Sequence, residues 1–313
     1  MKKIFYSTIY SFKEIKNSKI FYSFLIFALI LISGSYFVSQ TSFISQGRIM
    51  VDFSIFAIAL FNVFIGIFIG ASVVYDDIEK KSIFLAITRP VKRIEYLIGR
   101  FLGLAAAIIF STIIMMIIFY AVLLIMHKFI IPIAGAGYPA HHNINDIHSM
   151  HAALSASRLN ASPAPRQHGI IIYSLPQPLI VQGLFIIIES VFIAAAALFF
   201  SLITSKALAS VFTILVFFIG NVSSRMNDLI KPVKKIIKGK VEIMYRSNHI
   251  LRVIVHFVYT VLPNFSMFNI SSEAAYKISL SGGTIIYRVI YGLCYIVLLF
   301  VISSAIFSKK DIS

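Results

Sequence analysis

The chain has 313 residues, of which 59% are hydrophobic and only 13% charged, with a formal net charge of +16 and a mean hydropathy of +0.90. That apolar content excludes a soluble single domain, because one hydrophobic core stops growing near about 250–300 residues. The bases lie beside apolar runs, which points to a membrane surface and away from nucleic acid; the single cysteine, Cys294, excludes an intrachain disulfide or a Cys-based metal site.

Residues 1–19 place Phe5, Ile9 and Phe12 at helical spacing among lysines, which predicts an amphipathic helix on the membrane surface. The run Ile20 to Val38 lacks a small-residue cleavage pattern and is expected to be a retained span. Further spans are predicted at about 53–74, 98–126, 179–203, 207–222 and 285–307, each near the roughly 20 residues needed to cross hydrocarbon. Only Thr204, Ser205 and Lys206 separate the fourth from the fifth, so those two should form a tight hairpin. The fifth run is short, about 24 Å as a helix. Six spans put both termini on one side. That arrangement divides the 28 Lys and Arg equally between the two faces, which the positive-inside rule does not favour. The alternative makes 207–222 a re-entrant hairpin and 250–268 a span.

Two segments are not spans. Residues 127–178 hold six prolines without a helical period, so a loop or small extracytoplasmic lobe is expected between the third and fourth spans. Within Ile250–Leu262, Arg252, His256 and Thr260 recur every four residues on an apolar helix. One polar stripe suits a re-entrant or interfacial helix facing a path, ended by Pro263. The Lys231–Lys240 cluster is expected on the outer side.

The segment 75–100 is a charged patch between two spans. Asp76 and Lys80, and Asp77 and Lys81, are spaced for i,i+4 pairs with the acid N-terminal. Glu79 adds a third acid, and Ile83, Phe84 and Ile87 give a small apolar face. Arg89-Pro90 ends that helix, since the residue before proline leaves the α region. Arg93 follows, and Tyr96, Gly99 and Gly103 open the next span with small residues that permit close packing.

This patch resembles the loop after the second span of ABC-2-type ABC transporter permeases. Phe199 to Ser205 resembles their turn between spans four and five. Leu262-Pro263-Asn264-Phe265 resembles a segment ahead of their last span, and Phe307-Ser308-Lys309-Lys310-Asp311 their ending. The resemblance implies an all-α polytopic membrane protein with six transmembrane helices, an N-terminal amphipathic helix and a cytoplasmic coupling helix. It implies a permease subunit in a bacterial cytoplasmic membrane, both termini inside, with export as the expected direction. No cofactor is then bound directly. ATP-Mg sits on two copies of a separate ABC ATPase, since no phosphate-binding G-x-x-x-x-G-K-[ST] occurs here. Asp76, Asp77, Glu79, Lys80, Lys81, Phe84, Arg89, Pro90 and Arg93 would dock that ATPase. A second permease copy or paralogue and membrane lipid complete those partners. The resemblance does not extend to 127–178, whose length and prolines instead mark it as the variable part that would meet an extracytoplasmic partner or the substrate.

Glu189 lies inside the fourth span, where a charge must face the bundle or a cavity; with Arg252 and His256 it is a candidate path residue. His148 and His151 are three apart in the 127–178 loop, a spacing at which two imidazoles can share a metal, against the bland reading of solvated loop histidines. A non-ATP-coupled channel or assembly scaffold, and a His-dependent membrane metalloenzyme, remain alternatives at this level.

Overall fold

The structure is a computed structural model that describes residues 2–39, 46–79, 93–129, 177–230, 233–237, 240–244, 263–271 and 280–309. Helix α1 is Lys2–Lys16, α2 Lys19–Ser39, α3 Gln46–Glu79, α4 Arg93–Phe129, α5 Gln177–Ile203, α6 Lys206–Ile230 and α7 Gly282–Lys309. Helices α2 to α7 are each long and apolar enough to cross a membrane. The chain divides into two units, Met1–Phe119 with Pro176–Ser313, and Tyr120–Leu175. Of the second, the final turns of α4 are described.

In the first unit α3 and α5 form the centre. They are apolar all round and mostly buried, whereas α2, α6 and α7 present most of their surface outward. The two central helices touch closely because Gly66 and Gly70 on α3 lie against Ala194 and Ala197 on α5. A Cβ at Gly66 would stand 2.9 Å from the Ser190 carbonyl oxygen. Small residues four apart let helix backbones approach where lipid supplies no hydrophobic drive. Helix α2 packs on α3 through Phe24 and Phe27, whose rings meet Phe61, Phe64 and Phe68. Helix α7 packs on α5.

The six apolar runs appear where they were expected, with two differences. The fifth helix does not stop at residue 222; it continues without a break to Ile230. At about 1.5 Å per residue its 25 residues reach roughly 37 Å, ample for a span and without the internal turn that a re-entrant 207–222 requires. Second, a short antiparallel hairpin follows it, Val233–Ile237 paired with Lys240–Met244, in a basic stretch where no strand was expected. The α5–α6 turn is as tight as predicted, with Thr204 N–H donating to the Phe200 carbonyl and Ala209 N–H to that of Ser205. The predicted coupling segment 80–92 and the helix Ile250–Leu262 lie outside the described residues.

Candidate functional site

Helices α3 and α4 hold 34 and 37 residues, about 51 and 55 Å, against about 30 Å of hydrocarbon. The surplus at the end of α3 and the start of α4 is charged, and it is there that α1 and α6 join them. Call this the charged end.

Arg100 is its centre. Its side chain is only 7% exposed, and it makes ion pairs with Asp77 at the end of α3 and with Glu14 on α1. Its Nε donates to the Tyr96 hydroxyl at 3.1 Å, and Nη1 donates to Ser11 Oγ at 3.3 Å. Tyr96 in turn donates to the Asp77 carboxylate. One guanidinium thus meets two carboxylates, a phenol and a hydroxyl from three helices. A buried charge is tolerated only when paired and fully hydrogen-bonded, and this one is.

Glycines bring α1 close enough to reach Arg100. A Cβ at Gly99 would stand 2.5 Å from Ser7 Cβ, and one at Gly103 2.4 Å from Ser11 Cβ. Below them, Phe12 meets Phe110 edge-on at 5.7 Å and Lys16 Nζ lies over the Phe110 ring. Helix α1 is therefore strapped to α4 along its length. Its Phe5, Tyr6 and Tyr10 are exposed. Beside this cluster Lys206, the first residue of α6, holds Asp76 at 3.1 and 3.2 Å.

The expected i,i+4 partners of Asp76 and Asp77, Lys80 and Lys81, lie outside the described residues. Among the described residues their carboxylates meet cations from other helices, Lys206 for Asp76 at an exposed margin and Arg100 for Asp77 in a buried pair. Of the predicted docking acids only Glu79 is exposed. Arg93 opens α4. Lys80, Lys81, Phe84, Arg89 and Pro90 lie outside the described residues, as do Arg252, His256, His148 and His151. Among the described residues no group of His, Cys, Asp or Glu could hold a metal ion. Sequence reasoning missed Arg100, Glu14, Ser11 and Lys206 as a set. The available signal was two matched spacings, Ser7/Ser11 and Gly99/Gly103.

At the other end, residues 263–271 insert between α5, α6 and α7. Asn264 caps a 3-10 turn, Phe265–Phe268, its side chain accepting from the Ser266 N–H. Phe265 is buried against Phe192 and against Gly220, where a Cβ would stand 2.3 Å from its ring. Phe268 is buried against Phe185, and Gly292 leaves room for its ring and for Ile188. Two polar contacts fix the backbone: Ile270 N–H donates to Gln182 Oε1 at 2.7 Å, and Asn264 N–H to the Tyr291 hydroxyl at 3.0 Å. Irregular backbone at this depth survives because protein, not lipid, surrounds it. Glu189 lies buried on α5 with the Asn221 side chain of α6 in hydrogen-bonding reach.

Six apolar helices with a polar junction at one end define a polytopic α-helical membrane protein. Residues 5–146 match the family model of the ABC-2 family transporter proteins, so this part of the chain is similar to a membrane component of transport. No curated protein matches the chain at a significant level.

Proposed function

We propose that the chain is the permease subunit of an ATP-driven ABC transporter, with ATP-Mg held and hydrolysed by a separate ATPase that docks at the charged end. The observation that carries this is the Arg100 junction. It ties α1, α3 and α4 together at the point where α3 leaves and α4 returns. A push on the segment 80–92 between them is then delivered to three helices at once, not to one flexible loop.

In this reading the charged end faces the cytoplasm, with both termini, and the membrane is the bacterial inner membrane. Two permeases, alike or paralogous, pair with two ATPases, and transport runs outward. The docking contacts are Glu79, Lys80, Lys81, Phe84, Arg89 and Arg93. Asp76 and Asp77 move to a positioning role, since their carboxylates are engaged within the bundle. Residues 127–178 face outward and meet an extracytoplasmic partner.

Co-purification tests the reading. A Phe84→Asp, Arg89→Glu double variant should insert normally and lose a phosphate-loop ATPase that accompanies the unaltered chain. If no such ATPase accompanies the unaltered chain, or if the double variant keeps it with unchanged ATPase coupling, the assignment fails. ATP-independent conductance in vesicles would favour a channel instead.

A further inference from the structure

Arg288 lies on α7 six residues after Gly282, about 9 Å in from the start of that helix, at the end opposite the charged end. Three contacts put it on the face that meets α5. Its guanidinium carbon stands 5.8 Å from the centre of the Phe185 ring. One turn on, Gly292 lies against Ile188, and Tyr295 meets Phe192 edge-on at 6.2 Å. The opposite face carries Ile286, Tyr287 and Ile290, all exposed. Arg288 therefore looks into the bundle and not toward lipid.

The cation is not matched there. Among the described residues it makes no ion pair, and its Nη1 atom is buried without a hydrogen-bond partner. Its contact with a ring face offsets only part of what a charge loses when it leaves water. A carboxyl can escape that loss by taking a proton; a guanidinium cannot shed its charge. Glu189, the one acid of α5, lies a turn beyond Phe185 and has Asn221 of α6 in hydrogen-bonding reach instead. Arg100 shows the same side chain completed by the fold itself, with two carboxylates, a phenol and a hydroxyl. Arg288 is left open, and its planar fork of N–H donors matches phosphate or carboxylate through two parallel bonds.

We propose that Arg288 is a recognition site for the oxyanionic headgroup, phosphate or carboxylate, of an amphiphile that enters beside α7 from the end opposite the Arg100 junction. The way in is open. Ser281, Gly282, Gly283 and Thr284 are exposed, a Cβ at Gly282 would meet nothing within 4 Å, and Thr284 stands one turn ahead of Arg288 on the same face. Phe185 and the apolar flank of α7 around the charge suit the hydrocarbon part of such a molecule. Membrane lipid and a transported molecule both offer this chemistry, and only the second source rests on the permease reading.

The test uses chains of one length and opposite charge. The full chain in maltoside detergent and phosphate-free buffer is treated with phenylglyoxal, and modification of Arg288 is followed by mass spectrometry. Octyl phosphate or octanoate should slow it, and octylammonium should not. No slowing by either anion, or equal slowing by the cation, overturns the proposal. Binding of the radiolabelled anion should weaken about thirtyfold in Arg288→Gln, as when one side of a desolvated charge contact is removed. Arg288→Lys, which keeps the charge and loses the fork, should recover part of it; unchanged affinity in Arg288→Gln overturns the proposal. A stability measurement separates recognition from architecture. Without anion, Arg288→Met should leave the unfolding temperature unchanged or raise it, because an unmatched charge is removed. A fall like that on removing Arg100 overturns the proposal. Nanodiscs give the source. Slowing in bilayers containing phosphatidylglycerol, and not in phosphatidylcholine alone, assigns the anion to resident lipid. Slowing that needs added octyl phosphate or octanoate assigns it to an arriving molecule. No ATPase is used, so the failure of the permease reading is seen separately, in co-purification.

Discussion

The two ends of the bundle are held by different physics. At the charged end Arg100, Asp77, Glu14, Tyr96 and Ser11 join three helices through ion pairs and hydrogen bonds with little exposure. At the opposite end Phe265 and Phe268 sit against Gly220 and Gly292, and only Gln182 and Tyr291 hold the backbone. Separating a buried ion pair leaves uncompensated charge in a poor solvent. Withdrawing a ring from a glycine notch loses dispersion contacts and area, which lipid or a ligand partly restores. The first junction is therefore built to move as a body, and the second to come apart. The proposed transporter would use both properties, and they sit at opposite ends of the bundle, the first involving the central helix α3 and the second the central helix α5.

The sharpest way to break this contrast is at Arg100. Arg100→Met should destabilise the protein by about 3–5 kcal/mol, because Asp77 is left buried and charged without its partner. Thermal unfolding in detergent and protease release of α1 would measure it. The double variant Arg100→Met, Asp77→Asn should recover much of the loss. A single variant as stable as the unaltered chain would mean that the junction is decoration.

The opposite end should respond differently to a comparable insult. Gly220→Leu forces a side chain into the Phe265 ring, and overpacking of this kind costs about 1–3 kcal/mol. The expected result is a displaced 263–271 segment with an intact charged end. A cysteine at Ser266 should then react faster with an impermeant maleimide, while α1 keeps its protease resistance. Simultaneous loosening of α1 would show that the two ends are one cooperative unit, and the contrast would fall.

Much of the architecture was legible because span length and apolarity are local properties. Six runs near 20 residues have few folded alternatives in a membrane. The α5–α6 turn was legible for the same reason, as only three residues separate two apolar runs. The extension of α6 to Ile230 was not. Asn221, Ser223, Ser224, Arg225, Asn227 and Asp228 lower the hydropathy, yet a helix beyond the hydrocarbon keeps its backbone hydrogen bonds whatever its side chains. The Arg100 junction was illegible for another reason. Glu14 is 86 positions away in sequence, and the nearby pattern offered Lys80 and Lys81 as partners for the acids. Local spacing describes a lone helix and says nothing of the cations that other helices bring, as α4 brings Arg100 and α6 brings Lys206. Glu189 was legible as a buried charge. The neighbouring contacts of Gln182, Phe185 and Phe192 became meaningful only once the 3-10 turn was placed on them.

The smallest expected effect comes from the pair at the margin of the charged end. Lys206 holds Asp76, but their side chains are 42% and 35% exposed. Water competes for both ions, and salt screens what remains, so such a pair contributes about 0–1 kcal/mol. Lys206→Met should therefore leave the unfolding temperature nearly unchanged, even though it removes a contact between α3 and α6 that resembles the Arg100 pairs on a list of distances. Burial, not distance, is what separates them, and the same substitution type at Arg100 supplies the control. A difference between unaltered chain and Lys206→Met that shrinks further in high salt would agree with an exposed pair. A loss as large as that of Arg100→Met, insensitive to salt, would mean that the pair is shielded in the assembled transporter. The docking surface would then reach across the start of α6, and the charged end would be a four-helix junction in function as well as in position.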